Sequence, residues 1–202
     1  MTAADAEGNE RILHLNILYM ETIIRAVHEG DSEALRSIYR PYVEQTAVTF
    51  EWDVPSAEEF RRRIAEISAA YPYLVAERGG EVVGYAYASA FQPRRAYAWS
   101  AETSIYLRQD CRGQGLGRLL HGALREALRQ MNVQTMYACI SSPCEAGDPY
   151  LTDASIRFHS ALGYRLAGTF HRCGYKLGRW YDMVWMELPI GDYAVPPAEV
   201  KC

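Results

Sequence analysis

The sequence predicts an α/β domain of the α+β type, on three observations. Residues 101–131, AETSIYLRQDCRGQGLGRLLHGALREALRQM, read as strand, glycine loop and helix in succession. Two strand-like runs, 73–77 and 81–88, flank Arg78-Gly79-Gly80, which is a hairpin signal. Two further strand-like runs, 165–170 and 181–188, sit near the end as an antiparallel pair around the loop HRCGYKLGRW.

The elements follow in order. Residues 22–27 (TIIRAV) form a short β-rich run, and Gly30-Asp31 then caps a helix over SEALRSIYRPYVEQT. Pro41 is expected to bend or end that helix, because proline lacks an N–H and clashes with the preceding turn. Residues 46–52 (TAVTFEW) are β-branched and aromatic and read as an extended segment lining a site. Ser56 and Glu59 form a capping box for a helix running to about Ala70, and Pro72 marks its end. Residues 91–100 (FQPRRAYAWS) combine aromatics with arginines, and Pro93 interrupts any regular element. That composition suits a substrate-pocket wall, although a loop folded over the core would use the same residues.

In the 101–131 stretch, Thr103, Ile105 and Leu107 alternate with Glu102, Ser104 and Tyr106. Beyond the loop, Leu119, Leu120, Ala123, Leu124, Ala127, Leu128 and Met131 make the apolar face of a helix, with Arg118, Arg125, Glu126 and Arg129 mostly off it. Residues 134–141 (QTMYACIS) are a strand, 143–150 a turn-rich loop, and 153–163 a short helix capped by Thr152 or Asp153 and ended by Gly163. From Pro189 onward the chain reads as a tail.

Composition excludes several classes. With 202 residues, 49% of them hydrophobic, the chain is long enough for one buried core. A net charge of −4 gives no electrostatic reason to expect nucleic acid or an anionic membrane as partner. No apolar run is long enough to span a bilayer. The five cysteines form no CxxC pair, which suggests reduced thiols in a cytoplasmic protein rather than a disulfide framework or a metal site. Residues 1–19 are apolar in part but follow acidic residues and lack a cleavage site, so they read as an extension rather than a signal peptide, with the domain over 20–190 and a tail over 191–202.

The glycine loop, Arg112-Gly113-Gln114-Gly115-Leu116-Gly117, stands at a helix start, where unpaired N–H groups and a partial positive charge favour an anion. The glycines alone are as well explained by a tight strand-to-helix turn. No Lys-Ser/Thr pair follows, so this is not a Walker loop, and the spacing does not fit a dinucleotide fingerprint.

Arg112, Gly115 and Gly117 match the signature of the GCN5-related N-acetyltransferases (GNAT), which is Arg or Gln, two residues, Gly, one residue, then Gly or Ala. The stretch resembles their acyl-CoA-binding core. Residues 71–77 (YPYLVAE), 96–102 (AYAWSAE), 104–107 (SIYL), His159 before ALGY, and 178–182 (GRWYD) together resemble the phosphinothricin and methionine sulfone or sulfoximine N-acetyltransferases.

The resemblance implies a mixed, mostly antiparallel sheet with helices on both faces and a splayed central strand pair. It implies acetyl-CoA as cofactor, a small amino-acid-like amine as substrate, and a homodimer. The pyrophosphate is expected on N–H groups of Gly113, Gln114, Gly115, Leu116, Gly117 and Arg118 beside Arg112, the pantetheine and the oxyanion on the backbone of Ile105, Tyr106 and Leu107, and further cofactor contacts at Thr152 and Ser155. Glu102 is expected to be the general base, directly or through a water, with its pKa raised by burial. His159 stands where many relatives carry an acidic tyrosine, and proton transfer and binding are equal readings of it. Phe50, Arg94, Tyr97 and Trp99 are the expected substrate residues, with Arg94 or Arg95 meeting the carboxylate.

This chain departs from the family in carrying Thr152 where relatives have an asparagine, and in a longer 143–151 loop. An acetyltransferase for a protein N-terminus, polyamine or aminoglycoside is the alternative within enzymes, and a non-catalytic CoA-binding module the alternative outside them.

Overall fold

The structure, a computed structural model, describes residues 22–201. The expected extension over 1–19 lies outside the described residues. The elements are β1 (Thr22–Ala26), α1 (Ser32–Gln45), α2 (Ala57–Ser68), β2 (Tyr73–Arg78), β3 (Glu81–Ala90), β4 (Ser100–Leu107), α3 (Leu116–Gln130), β5 (Thr135–Pro143), α4 (Ala154–Ala161), β6 (Arg165–Lys176) and β7 (Arg179–Pro189). The strands make one seven-stranded sheet in the order β1-β2-β3-β4-β5-β7-β6. Among the described residues only β4 and β5 pair in parallel. This is the expected mixed, mostly antiparallel GNAT sheet.

Successive strand residues point to opposite faces, and the sheet uses both. Leu116, Leu120, Leu124 and Leu128 of α3 pack on Ala76, Ala86, Ala88, Met136 and Ala138. On the other face Leu35, Ile38, Tyr39, Tyr42, Phe60 and Ile64 of α1 and α2 cover Tyr73, Val75 and Tyr85. Half of the expected capping box forms: the Ser56 side chain accepts the Glu59 N–H at 3.1 Å, while the Glu59 carboxylate accepts from Arg62 and Arg63 instead. The β2–β3 turn is the two-residue Gly79-Gly80, both at positive φ, as a tight hairpin requires.

Four expectations need correction. Pro41 does not end α1, which runs on to Gln45 with Tyr42 and Val43 beyond it buried against the sheet. In α3 the buried face is rotated: Leu119 is 52% exposed and His121 is only 1% exposed, so a polar ring takes a core place. Residues 171–176 are strand rather than loop, since Leu177 and Gly178, both at positive φ, make the turn and Lys176 pairs with Arg179. Finally, residues 190–201 are bound to the body: Ile190 N donates to Gln134 O, Lys201 N to Met131 O, and Asn132 Nδ2 to Glu199 O.

The functional consequence of the topology lies at β4 and β5. Their pairing runs from Ser100↔Thr135 to Glu102↔Tyr137 and stops, while β4 stays paired with β3 up to Leu107. The two strands therefore part like a fork, with the Thr103 hydroxyl donating to Tyr137 O at its vertex. This is the splay the family resemblance implies.

Candidate active site

A cavity of about 450 Å³ occupies the fork. It is lined from opposite faces of the same strands: Ile105 and Leu107 against Tyr106 on β4, Ala138 and Ile140 against Cys139 and Ser141 on β5. The opening therefore passes through the sheet. One side is walled by Gly117, Ser155, Phe158 and His159, the other by Tyr42, Thr46 and Val48.

The β4 backbone faces this opening in a defined way. Arg108 N donates to Val83 O on β3, so in the antiparallel ladder the groups of Leu107 point away from β3, and those of Ile105 point the same way. At Leu107 both groups are taken by Tyr42, whose hydroxyl donates to Leu107 O at 2.6 Å and accepts its N–H at 3.1 Å. Ile105 lies beyond the last β4–β5 pair, and its N–H and C=O face the fork.

The glycine loop closes one end. Gly113 and Gly115 take φ of 74° and 82°, which side chains disfavour, and a Cβ at Gly117 would come within 3.2 Å of the Phe158 ring. Leu119 N is the donor to Gly115 O, so the N–H groups of Leu116, Gly117 and Arg118 have no acceptor inside α3. The guanidinium of Arg112 sits over the Tyr42 ring at 4.9 Å, at the edge of this cradle. Such a row of N–H groups beside an arginine is built to take an anion. The Gln114 side chain is turned elsewhere, holding the loop by accepting from Arg78 and donating to Asp110 O. The Leu116 side chain is fully buried in the core, and Arg118 is exposed, so each offers the cradle its backbone.

Glu102 sits on the last rung below the vertex, half-buried and paired across from Tyr137, and it is not among the residues lining the cavity. Burial raises its pKa. It shares the face of β4 with Tyr106, whose ring packs against Tyr39 and Tyr42, so its side chain is on the α1 side of the sheet. Burial chiefly pushes the Cys139 thiol up to about 12, leaving it protonated. His159 is 7% exposed, and its Nδ1 lies 2.8 Å from Ser155 O. A carbonyl only accepts, so Nδ1 carries the proton and Nε2 of the neutral ring is an acceptor. Burial also lowers the His159 pKa, against the effect of that bond.

The expected residues thus separate into two groups. Ile105, Tyr106, Leu107, Arg112, Gly113, Gly117, Thr152, Ser155 and His159 line the cavity. Glu102, Gln114, Gly115, Leu116, Arg118, Phe50, Arg94, Tyr97 and Trp99 do not. Phe50 packs beside Tyr181, with ring centroids 6.2 Å apart. Arg94 and Tyr97 are exposed on the 91–99 loop, and the Trp99 indole N–H is spent on Ala198 O at 2.7 Å. Tyr42, Thr103, Cys139, Ser141 and Phe158 also line the cavity, and sequence reasoning did not single them out. Thr103 and Cys139 were visible as members of strands, but which strand edges open into a fork is a tertiary fact.

Fork, glycine cradle and two-faced sheet define an acetyltransferase class, and the comparisons agree. Residues 24–185 match the family model described as the Acetyltransferase (GNAT) domain. The chain belongs to the GNAT acetyltransferase family; it is an acetyl-CoA-dependent N-acetyltransferase. It is 36% identical over 176 residues to the phosphinothricin N-acetyltransferase of Alcaligenes faecalis, covering 86% of each chain. It is 35% identical to the L-methionine sulfoximine/L-methionine sulfone acetyltransferase of Pseudomonas paraeruginosa, covering 84% of this chain and 95% of that one. Among solved structures, a phosphinothricin acetyltransferase of Sinorhizobium meliloti in complex with AcCoA superposes with a TM-score of 0.78 at 35% identity, over 90% of this chain and 95% of that one. Among the described residues no helix is long and apolar enough to cross a membrane, and no group of side chains could hold a metal ion.

Proposed function

We propose that this enzyme acetylates the α-amino group of a small amino-acid-like substrate of the phosphinothricin, methionine sulfone or methionine sulfoximine type. The observation that carries the reading is the opening through the sheet: the anion cradle lies at one end, and Glu102 stands on the α1 side beside the vertex. Two reactants approaching from opposite faces would meet there. The names of the relatives supply the substrate class.

Bound acetyl-CoA supplies an acetyl group activated as a thioester. Its pyrophosphate is assigned to the N–H groups of 113–118 beside Arg112, and its pantetheine arm to the Ile105 backbone and the wall of Thr152 and Ser155. Glu102 is assigned the proton of the substrate ammonium, directly or through a water. A raised pKa brings a carboxylate closer to the value a base needs near neutrality. The Ile105 N–H is the donor for charge developing on the acetyl oxygen. His159, neutral and with Nε2 accepting, is assigned to binding and orienting rather than to proton donation. Arg94 or Arg95, exposed and outside every ion pair among the described residues though not in the cavity lining, is assigned as the cation for the substrate carboxylate.

The exposed Leu166, Phe170, Tyr175 and Trp180 of β6 and β7 support a homodimer through that sheet edge. The free thiols Cys111, Cys139, Cys144 and Cys173 support a cytoplasmic location. The test is an acetyl-CoA turnover assay over phosphinothricin, methionine sulfone, methionine sulfoximine, a polyamine and a peptide N-terminus. Turnover of the first three is expected, and turnover confined to the last two would overturn the reading.

A further inference from the structure

Lysine occurs at only two positions in this arginine-rich chain, 176 and 201. Lys176, on β6, is 2% exposed. The one hydrogen bond of its side chain among the described residues is Nζ donating to Thr49 O at 2.7 Å. Burying an ammonium group without a paired carboxylate is costly. Desolvation lowers its pKa, and only the nearby charge of Glu51 opposes that.

The Thr49 carbonyl belongs to the segment between α1 and α2, which has no regular structure yet is stitched along its length. Ala47 N donates to Tyr150 O, Ser141 Oγ donates to Val48 O, the Thr49 hydroxyl meets the Tyr39 hydroxyl at 2.7 Å, and Arg63 holds Glu51. The Phe50 ring lies so close over Gly174 that a Cβ there would come within 2.1 Å of it. Thr46 and Val48 face the cavity, on the side of Cys139 and Ser141. Thr49 meets the Tyr39 hydroxyl and the Tyr39 ring packs on Tyr106 of β4, so the segment borders the face of the sheet that carries Glu102.

We propose that Lys176 is a positioning residue for the amine side of the site: it holds the 46–52 segment against β6, so that Thr46 and Val48 form a fixed wall that sets the size of the substrate side chain. The proposal rests on the acetyl-transfer reading of the fork. It assigns specificity to a buried cation that touches no substrate. Lysine is required rather than arginine because a compact ammonium fits one carbonyl in a closed space, whereas a guanidinium fork needs several acceptors.

The test compares Lys176→Met, Lys176→Gln and Gly174→Ala with wild type. KM for the amine and for acetyl-CoA is measured over a series of α-amino acids of increasing side-chain size, together with hydrogen exchange across 46–52. Lys176→Met removes the donor while keeping the bulk. It is expected to raise the amine KM about fivefold or more, to flatten the dependence on side-chain size, and to speed exchange across 46–52, with acetyl-CoA KM within about twofold. Lys176→Gln, which can still donate to Thr49 O, recovers part of the loss. Gly174→Ala perturbs the same wall from beneath and shifts size selectivity in the same direction. Unchanged exchange across 46–52 in Lys176→Met, or equal rises in both KM values, overturns the proposal. If wild type turns over no small amino acid, the substrate reading fails instead, and the exchange measurement still decides whether Lys176 holds the segment.

Discussion

The Tyr42 hydroxyl holds both backbone groups of Leu107, donating to the carbonyl at 2.6 Å and accepting the N–H at 3.1 Å. One side chain of α1 thus takes the place of a missing strand where β4 has no neighbour on its open edge. Its ring also packs edge-on against Tyr106, with centroids 5.1 Å apart. Removing the hydroxyl strands a donor and an acceptor, which costs about 1–3 kcal/mol for such a buried pair. Tyr42→Phe is expected to lower Tm by several degrees, at about 2–4 °C per kcal/mol for a chain of this size. Calorimetry without ligand checks it; an unchanged Tm would show that water replaces the hydroxyl at no cost.

Glu102→Gln keeps the shape and removes the base. The expected loss in kcat/KM is about 10²–10⁴, the usual worth of general base catalysis. Because burial raises the Glu102 pKa, the acid limb of the wild-type kcat/KM profile should lie above the ordinary carboxylate range, with activity rising as the group ionises. The same burial disfavours the ionised carboxylate in the folded state, so the variant should be at least as stable as wild type near neutral pH. Activity retained within about threefold would remove Glu102 from the mechanism.

His121 predicts the acid stability of the fold. Burial is the main cause that depresses its pKa from 6.5 to about 4, with repulsion from His159, Arg125 and Arg118 adding to it. The unfolded chain therefore takes up a proton near 6.5 that the folded chain refuses until about pH 4. Stability falls as pH drops across that interval, by about 3 kcal/mol in all, and levels off below it. His121→Gln, which can still meet the Tyr164 hydroxyl, should show a shallower fall. Urea unfolding at several pH values between neutral and acid measures the two slopes; parallel slopes would shift the effect to other groups.

Gly115→Ala tests the cradle. The position has φ of 82°, which costs a β-carbon about 1 kcal/mol and tilts the N–H groups that follow it. The acetyl-CoA KM should rise several-fold, while the KM for the amine stays close to wild type. Equal KM values for acetyl-CoA in the two proteins would move the pyrophosphate to another part of the surface.

Much of this was legible in the chain. The glycines at 113, 115 and 117, the Ser56 cap and the Gly79-Gly80 hairpin are local devices with a physical reason at each residue, and each appears where the spacing put it. The alternation from Glu102 to Leu107 assigned faces correctly. Expectations failed where a distant contact outweighed local preference. Pro41 does not stop α1, because packing of Tyr42 and Val43 offsets a lost hydrogen bond. His121 takes a core place that Leu119 seemed to claim, because Tyr164, far along the chain, offers it a hydroxyl. The substrate wall was the least legible part. Trp99 is aromatic and sits beside Glu102 in sequence, but its indole nitrogen is committed to a carbonyl near the other end of the chain.

That bond gives the protein a built-in reporter. The Trp99 indole is tethered to Ala198, and neighbouring Glu199 and Lys201 are fastened to the turn after α3. In a variant that keeps Trp99 but replaces Trp52, Trp180 and Trp185, loosening of residues 198–201 should be visible as a change in tryptophan emission before the sheet itself begins to melt.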